Sequence, residues 1–381
     1  MAEMILFSNG ERMGMIREGE VSPLPSQRYQ RYREAMQEIR RQHQWKNSGT
    51  GALFMGNLSG LAEDQEPAVR IGGMALLDGL LYYTAFLGGV GGLYTKDPLN
   101  PDAPEGVIVH RQGMNTAGLC WNGASFATTL LEGRERHLGF FTLPRGELTV
   151  VTQGETVEAG PSWSRDCQQV WFSSAGWGRE APGGEPVLGP RAICRLDANT
   201  MELTEVYAQP GRDCISPQEG EDGSLWFLRR PRREEQEGNT LADIAAAPGK
   251  VVRAMGGWLD LFTRRYAGES LRSGGGKAKQ KPERDLIIEG NLINAQRALE
   301  ENQSQGEAYP GIIPRSWELV RLAPGGENPE VVQKGVLAYA LAPGGYVFSN
   351  GRHILRATGT GKPELLAEEG MVTMLTVERG R

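Results

Sequence analysis

"PSWSRDCQQVWFSSAG", residues 161–176, sets a proline, two tryptophans and four serines around an aspartate and a cysteine. Such a cluster is either a catalytic site or the turn of a structural repeat, and its neighbours decide which. Downstream, "CQQVWFSSAG" is an apolar run and a turn, and "RAICRLDANTMELTEVY" (191–207) gives two alternating runs about an Asp-Ala-Asn turn. Alternation with period two between turn residues marks half-buried antiparallel strands.

The same order recurs in "GGYVFSNGRHILRATGTGKPELLAEE" (344–369) and in "EMILFSNGERMGMIREGEVSPL" (3–24), both carrying "FSNG". Asn-Gly between apolar runs predicts a type I′ hairpin, with positive φ at both central residues. Stretches at 79–97, at 123–151, and at 223–231 resumed at 316–332 complete a set of six, starting near positions 4, 81, 124, 169, 224 and 345. Two polar, helix-like inserts interrupt the spacing, about 25 residues after position 25 and about 80 after position 230; without them the period is roughly 40–55, one four-stranded propeller blade. Counting from the sixth start around to Met4 gives about 40 residues, so "MVTMLTVERG" (371–380) is expected to supply the first strand of the blade that continues at Met4. The expected fold is all-β: a single six-bladed β-propeller domain over 1–381, its ring closed by the N- and C-terminal strands. Helical inserts are expected at 26–46 in the first blade and 231–311 in the fifth.

The opening stretch also resembles the repeat of TolB-type, WD40-like propellers, whose turn reads P-x-W-S-P-D-G before an apolar strand. Pro161, Trp163, Ser164, Asp166, Val170, Phe172, Ser173 and Ser174 fall on that pattern, while Arg165 and Cys167 depart from it. "EDGSLWF" (221–227) and "APGGYVFS" (342–349) match in part. The resemblance implies a propeller and no particular activity. Asp166 and the serines are therefore expected to cap a tight turn, which Asx and Ser side chains do readily, and not to form a triad.

Composition agrees with a turn-dense β fold: 52 glycines and 22 prolines, with 39% hydrophobic residues and a net charge of −6. The mild acidity argues against a nucleic-acid partner, which needs clustered basic charge. Glu3 and an Asn-Gly turn stand where a secretory apolar region would lie, so the family's export is not expected to carry over. Cys120, Cys167, Cys194 and Cys214 form no CxxC pair and have no histidine at metal spacing, which predicts reduced thiols, no metal site and a cytoplasmic setting.

"ATGTGKPELL" (357–366) has Arg356 where a phosphate loop requires its first glycine and Pro363 where it requires Ser or Thr. In "GGVGGLY" (88–94), Tyr94 replaces a fingerprint glycine. No G-x-S-x-G elbow occurs, and His43, His110, His137 and His353 are isolated and expected at the surface or in turns. No catalytic residue and no cofactor is therefore assigned. The competing enzyme class is a hydrolase or lactonase-like propeller with Glu, Asn and Asp ligands converging on the axis.

The inserts carry the partner expectation. In 26–46, Tyr29, Tyr32, Met36, Ile39 and His43 share one helical stripe, with Ser26 as N-cap and a basic opposite face. In the second insert, Trp258, Leu259 and Phe262 fall near one face with Arg264 and Arg265 beside it, which suits a partner groove, or in the alternative a membrane surface. Residues 271–285 read as a mobile basic linker, and "LIIEGNLINAQRALEEN" as a second helix with Ile288, Leu292, Ala295 and Leu299 on one stripe. The expected function is a non-catalytic binding or scaffold propeller that recruits a protein partner through these inserts, peripheral membrane contact being the alternative.

Overall fold

The computed structural model describes residues 3–47, 69–179, 186–232, 286–288, 291–359 and 361–378. Its strands group into four-stranded antiparallel units, two of which a parallel bridge joins into one nine-stranded sheet, with a two-stranded hairpin apart from them. The chain begins with β1 (Met4–Ser8), β2 (Met13–Arg17) and β3 (Glu20–Pro23), followed by helix α1 (Gln27–Asn47). The next units are β4 (Val69–Leu77), β5 (Leu80–Leu87), β6 (Val90–Lys96) and β7 (Gly106–Gln112), then β8 (Asn115–Trp121), β9 (Ser125–Glu132), β10 (Glu135–Thr142) and β11 (Glu147–Val150). β12 (Thr156–Trp163) and β13 (Gln169–Arg179) follow, with β14 (Pro186–Leu188) on the far end of β13, then β15 (Ala192–Asp197) and β16 (Leu203–Tyr207). β17 (Arg212–Glu219) and β18 (Leu225–Pro231) pair on with β21 (Glu318–Leu322) and β22 (Glu330–Lys334) after an excursion through the hairpin β19 (Leu286–Ile288), β20 (Asn291–Ile293) and helix α2 (Ala295–Ser304). β23 (Ala338–Ala342), β24 (Gly345–Ser349), β25 (Ile354–Ala357) and β26 (Glu364–Ala367) make another unit. Finally β27 (Met374–Val377) runs antiparallel beside β1, with Ile5 opposite Val377 and Ser8 opposite Met374.

Hydrophobic clusters lie between neighbouring units and not within them. Leu6, Met13, Ile71, Leu81 and Tyr83 join the first two; Ala127, Leu138, Phe172 and Leu196 join the β8–β11 and β12–β16 units; Phe7, Val347, Ile354 and Val377 join the last to the first. Alternating residues on each strand face opposite sides, so a unit buried on both faces needs a neighbour on each. Each fully buried Phe or Leu contributes roughly 1.5–3 kcal/mol to that stacking.

The turn chemistry differs from expectation. Asn9 and Asn350 do not occupy type I′ turns: only Gly10 and Gly351 have positive φ, and each asparagine carboxamide oxygen accepts backbone N–H groups two and three residues on, from Glu11 and Arg12 at 3.0 and 2.8 Å and from Arg352 and His353 at 3.1 and 2.9 Å. These are side-chain-capped loops of four residues. Consecutive positive-φ pairs, the type I′ signature, sit instead at Glu18-Gly19, Asp78-Gly79 and Gly88-Gly89.

In α1, Tyr29, Tyr32 and Met36 are half-buried as the stripe requires, but Ile39 is exposed. The helix is held at its start. Ser26 Oγ lies 3.0 Å from the Tyr83 hydroxyl, and Glu105, 3.9 Å from the buried Lys96 ammonium, accepts from the Arg28 N–H at 3.1 Å. Residues 286–302, read as a second helix, open as the β19–β20 hairpin because Ile288 and Ile293 bury beside Trp317, Leu337 and Met371. The helix begins only after Asn294 caps it by accepting from the Arg297 N–H, and its buried face is Ala295, Ala298 and Asn302, with Leu299 half-exposed. Among the described residues no helix is long and apolar enough to cross a membrane.

Candidate functional site

The opening stretch is the β12–β13 turn. The Ser164 hydroxyl donates to Asp166 at 2.6 Å and accepts from the Gln169 N–H at 2.9 Å, while Asp166 also accepts from the Gln168 N–H at 3.0 Å. The Ser164 hydrogen bond, aided by that backbone N–H, holds the exposed Asp166 carboxyl below its usual range. Both groups are consumed by the turn, as the capping expectation required. Asp222 closes the corresponding turn between β17 and β18 by accepting from the Ser224 N–H at 3.1 Å and the Ser224 hydroxyl at 2.5 Å, and Ser224 and then Arg321 hold its carboxyl well below the ordinary carboxylate range.

The first strands of the units form the inner wall. β27, β4, β8, β12 and β17 touch in that order, and β23 touches β27. β17 and β23 are joined by the Tyr339 hydroxyl, which donates to the Ser216 carbonyl at 2.7 Å, and by Gln218 Nε2, which donates to the Tyr339 carbonyl at 3.2 Å. These strands enclose a cavity of about 1780 Å³ that opens at the end where they turn back into the second strands.

Four inner strands carry a bulge at the same height. The register slips between Ile71 and Gly73, Ala117 and Cys120, Ala159 and Ser162, and Ile215 and Gln218. Gly118, Gly160 and Ser216 stand there at φ 72, 61 and 55. Neighbouring bulges nearly touch: a Cβ on Gly73 would fall 2.5 Å from the Gly118 carbonyl carbon, one on Gly118 2.5 Å from Pro161 Cδ, and one on Gly160 3.1 Å from Ser216 Cα. The wall at this level is thus backbone set against backbone at Gly73 and Gly160, and against the Pro161 ring at Gly118. Sequence reading missed this ring, although "IGG", "AGL", "AGP" and "ISP" mark it at 71–73, 117–119, 159–161 and 215–217.

Beyond the bulges the cavity is lined mainly by apolar side chains, among them Met74, Leu76, Leu119, Trp121, Leu341 and Met374. Leu99 stands at the rim, 53% exposed. The three arginines at the rim are paired: Arg356 with Glu3, Arg17 with Glu18 at 3.8 Å, and Arg165 with Glu221 at 4.0 Å. Among the described residues no three His, Cys, Asp or Glu side chains gather in a metal-binding group. All four cysteines are free thiols, and burial pushes Cys194 and Cys214 up to about 12. His137 is buried in β10 beside Glu135 at 3.5 Å, not at the surface as expected. Trp258, Leu259, Phe262, Arg264, Arg265 and the 271–285 linker lie outside the described residues.

No protein-family model and no curated protein matches the sequence. Among solved structures the chain is similar to TolB from Acinetobacter baumannii, with TM-score 0.51 and 10% identity, covering 98% of this chain and 66% of that one. It is similar also to a chain of a nidogen/laminin complex, with TM-score 0.51 and 7% identity, covering 98% of each. At these identities the likeness is one of fold: a β-propeller of the TolB type.

Proposed function

From a propeller fold of the TolB type, we propose that this chain is a non-catalytic binding module: the axial funnel receives an apolar segment of a protein partner, and the large insert helps recruit it, through Trp258, Leu259 and Phe262 with Arg264 and Arg265. The ring of units is six-bladed in this reading, with β27 and β1 sharing the blade that closes it. The observation that carries it is the funnel itself, about 1780 Å³ across the inner strands of every unit, lined mainly by apolar side chains and rimmed by arginines paired with carboxylates. An apolar concavity that is largely pre-formed costs little ordering on binding. The nidogen/laminin likeness adds that a related architecture occurs in a protein–protein complex. A cytoplasmic setting remains part of the proposal.

The test places a photo-crosslinking residue at Leu99, on the rim, and in parallel at Leu203, equally exposed at 55% but on the outer strand β16. A discrete adduct from Leu99 and none from Leu203 supports the funnel. Equal labelling from both, or none from either, defeats it. Loss of the Leu99 adduct in the Trp258→Ser, Phe262→Ser double variant supports the insert's part, and an undiminished adduct removes it.

A further inference from the structure

Arg136 is an anomaly at the other end of the inner strands. It lies near the start of β10, is only 6% exposed, and pairs in register with Val157 of β12 across a parallel bridge between two units. Its guanidinium donates to the Thr129 hydroxyl at 3.4 Å, and it forms no ion pair among the described residues. Buried charges are ordinarily paired, because desolvation of an ion is repaid only by an opposite charge or a full set of hydrogen bonds. Instead of an anion, Arg136 faces two more arginines: burial first, then Arg70 and Arg191, bring its pKa down to about 9.

Those two arginines come from the units on either side, and backbone carbonyls hold them. Arg70, in β4, donates to the Thr116 carbonyl at 3.3 Å and to the Asn115 side chain. Arg191, ahead of β15, donates to the Val157 carbonyl at 3.2 Å, the residue beside Arg136. Two carboxylates of the described residues lie close by, and each is already hydrogen-bonded. Glu158 accepts from the Leu138 N–H at 2.6 Å and from the Thr152 hydroxyl; Asp213 accepts from the Arg191 N–H at 3.1 Å and lies 3.9 Å from Arg230 Nε. Arg70 and Arg191 are partly exposed, so the group is reachable from solvent.

We infer that Arg70, Arg136 and Arg191 form a binding site for a phosphate group. Guanidinium forks match phosphate oxygens bidentately, and a cluster of them suits a dianion better than a single carboxylate. Backbone-anchored arginines are also pre-organised, so little side-chain order is lost on binding. The site lies at the opposite end of the inner strands from the funnel and does not depend on what the funnel holds.

The experiment uses the full chain, with melting and calorimetric titration in inorganic phosphate, in glycerol 3-phosphate, and in acetate, all against chloride at matched ionic strength. The wild-type protein should gain melting temperature in the phosphates and not in acetate; the tighter binder of the two tells a free phosphate from an ester. Arg136→Met, which removes the buried charge, should melt at or above wild type in chloride and lose the phosphate response. Arg70→Gln, at a partly exposed position that leaves the core intact, should weaken phosphate at least about tenfold. No phosphate-specific gain in wild type overturns the inference, as does an undiminished gain in both variants. An Arg136→Met protein that melts well below wild type in chloride makes Arg136 a structural brace and overturns it too.

Discussion

The Cys167 N–H donates to the Ser164 carbonyl at 3.0 Å, and closing that turn holds Cys167 at φ 58. The related propeller repeat has glycine at this place, and a residue with a Cβ in the left-handed region costs about 1–2 kcal/mol. Glycine in turn loses about 0.5–1 kcal/mol through the freedom it has when unfolded. Cys167→Gly should therefore gain up to about 1 kcal/mol, read as a higher urea midpoint at unchanged slope. A lower midpoint would show that the thiol contributes more than its backbone costs.

Ser26 links α1 to the β4–β7 unit. Its hydroxyl meets Tyr83 at 3.0 Å and accepts from the Tyr29 N–H at 3.3 Å, so one oxygen serves both as helix cap and as buried contact. Ser26→Ala should cost about 1–2 kcal/mol and expose α1 to limited proteolysis before the strands are cut. Unchanged cleavage kinetics at 27–47 would mean that the Tyr32 contact at Gly88 suffices to hold the helix.

β27 covers the edge of β1 and adds Leu375 and Val377 to the cluster with Phe7 and Val347. A chain ending at Gly370 leaves that edge and its apolar face open to intermolecular pairing. It should aggregate or lose its cooperative melting transition. A soluble product with the full-length melting profile would refute the role given to the terminal strand.

Glu158 is buried among the Leu138 N–H and the hydroxyls of Thr152 and Thr156, and burial raises its carboxyl above the ordinary range despite those bonds. A carboxyl with a raised folded pKa binds its proton more tightly in the folded state. The stability it confers is present below its unfolded value near 4.5 and is lost as pH rises through the folded one. Glu158→Gln keeps an acceptor and removes the charge, so its stability relative to wild type should grow from about pH 4.5 upward. Parallel urea midpoints across pH 4 to 7 would contradict the assignment.

Much of the architecture was legible because it is local. Alternating runs such as Ile193 to Tyr207 are strands wherever they occur, and Ser164 with Asp166 can close a turn without distant help. Where the structure departs from the local pattern, either a side chain caps a longer loop or a tertiary contact outweighs the pattern. Asn9 and Asn350 look like type I′ residues, yet their side chains cap longer loops. Ile288 fits a helical stripe, but burial against Trp317 draws it into a hairpin. Gly72, Gly118 and Gly160 carry no local signal of their role, because it depends on what the next unit sets against them: the Thr116 carbonyl, the Pro161 ring and the Ser216 backbone. Arg70, Arg136 and Arg191 lie far apart in sequence and carry no shared motif, so only the fold brings them together.

The ring of bulges has a mechanical consequence. Because Gly73 and Gly160 let main chain press on main chain, and Gly118 takes the Pro161 ring, the spacing of these four inner strands is fixed close to their peptide groups, like the leaves of an iris stopped against one another. Substitutions further along the inner strands can repaint the lining but not resize the opening. A methyl group at Gly118, by contrast, would wedge neighbouring leaves apart, so bore diameter and specificity can be tuned as separate properties of this molecule.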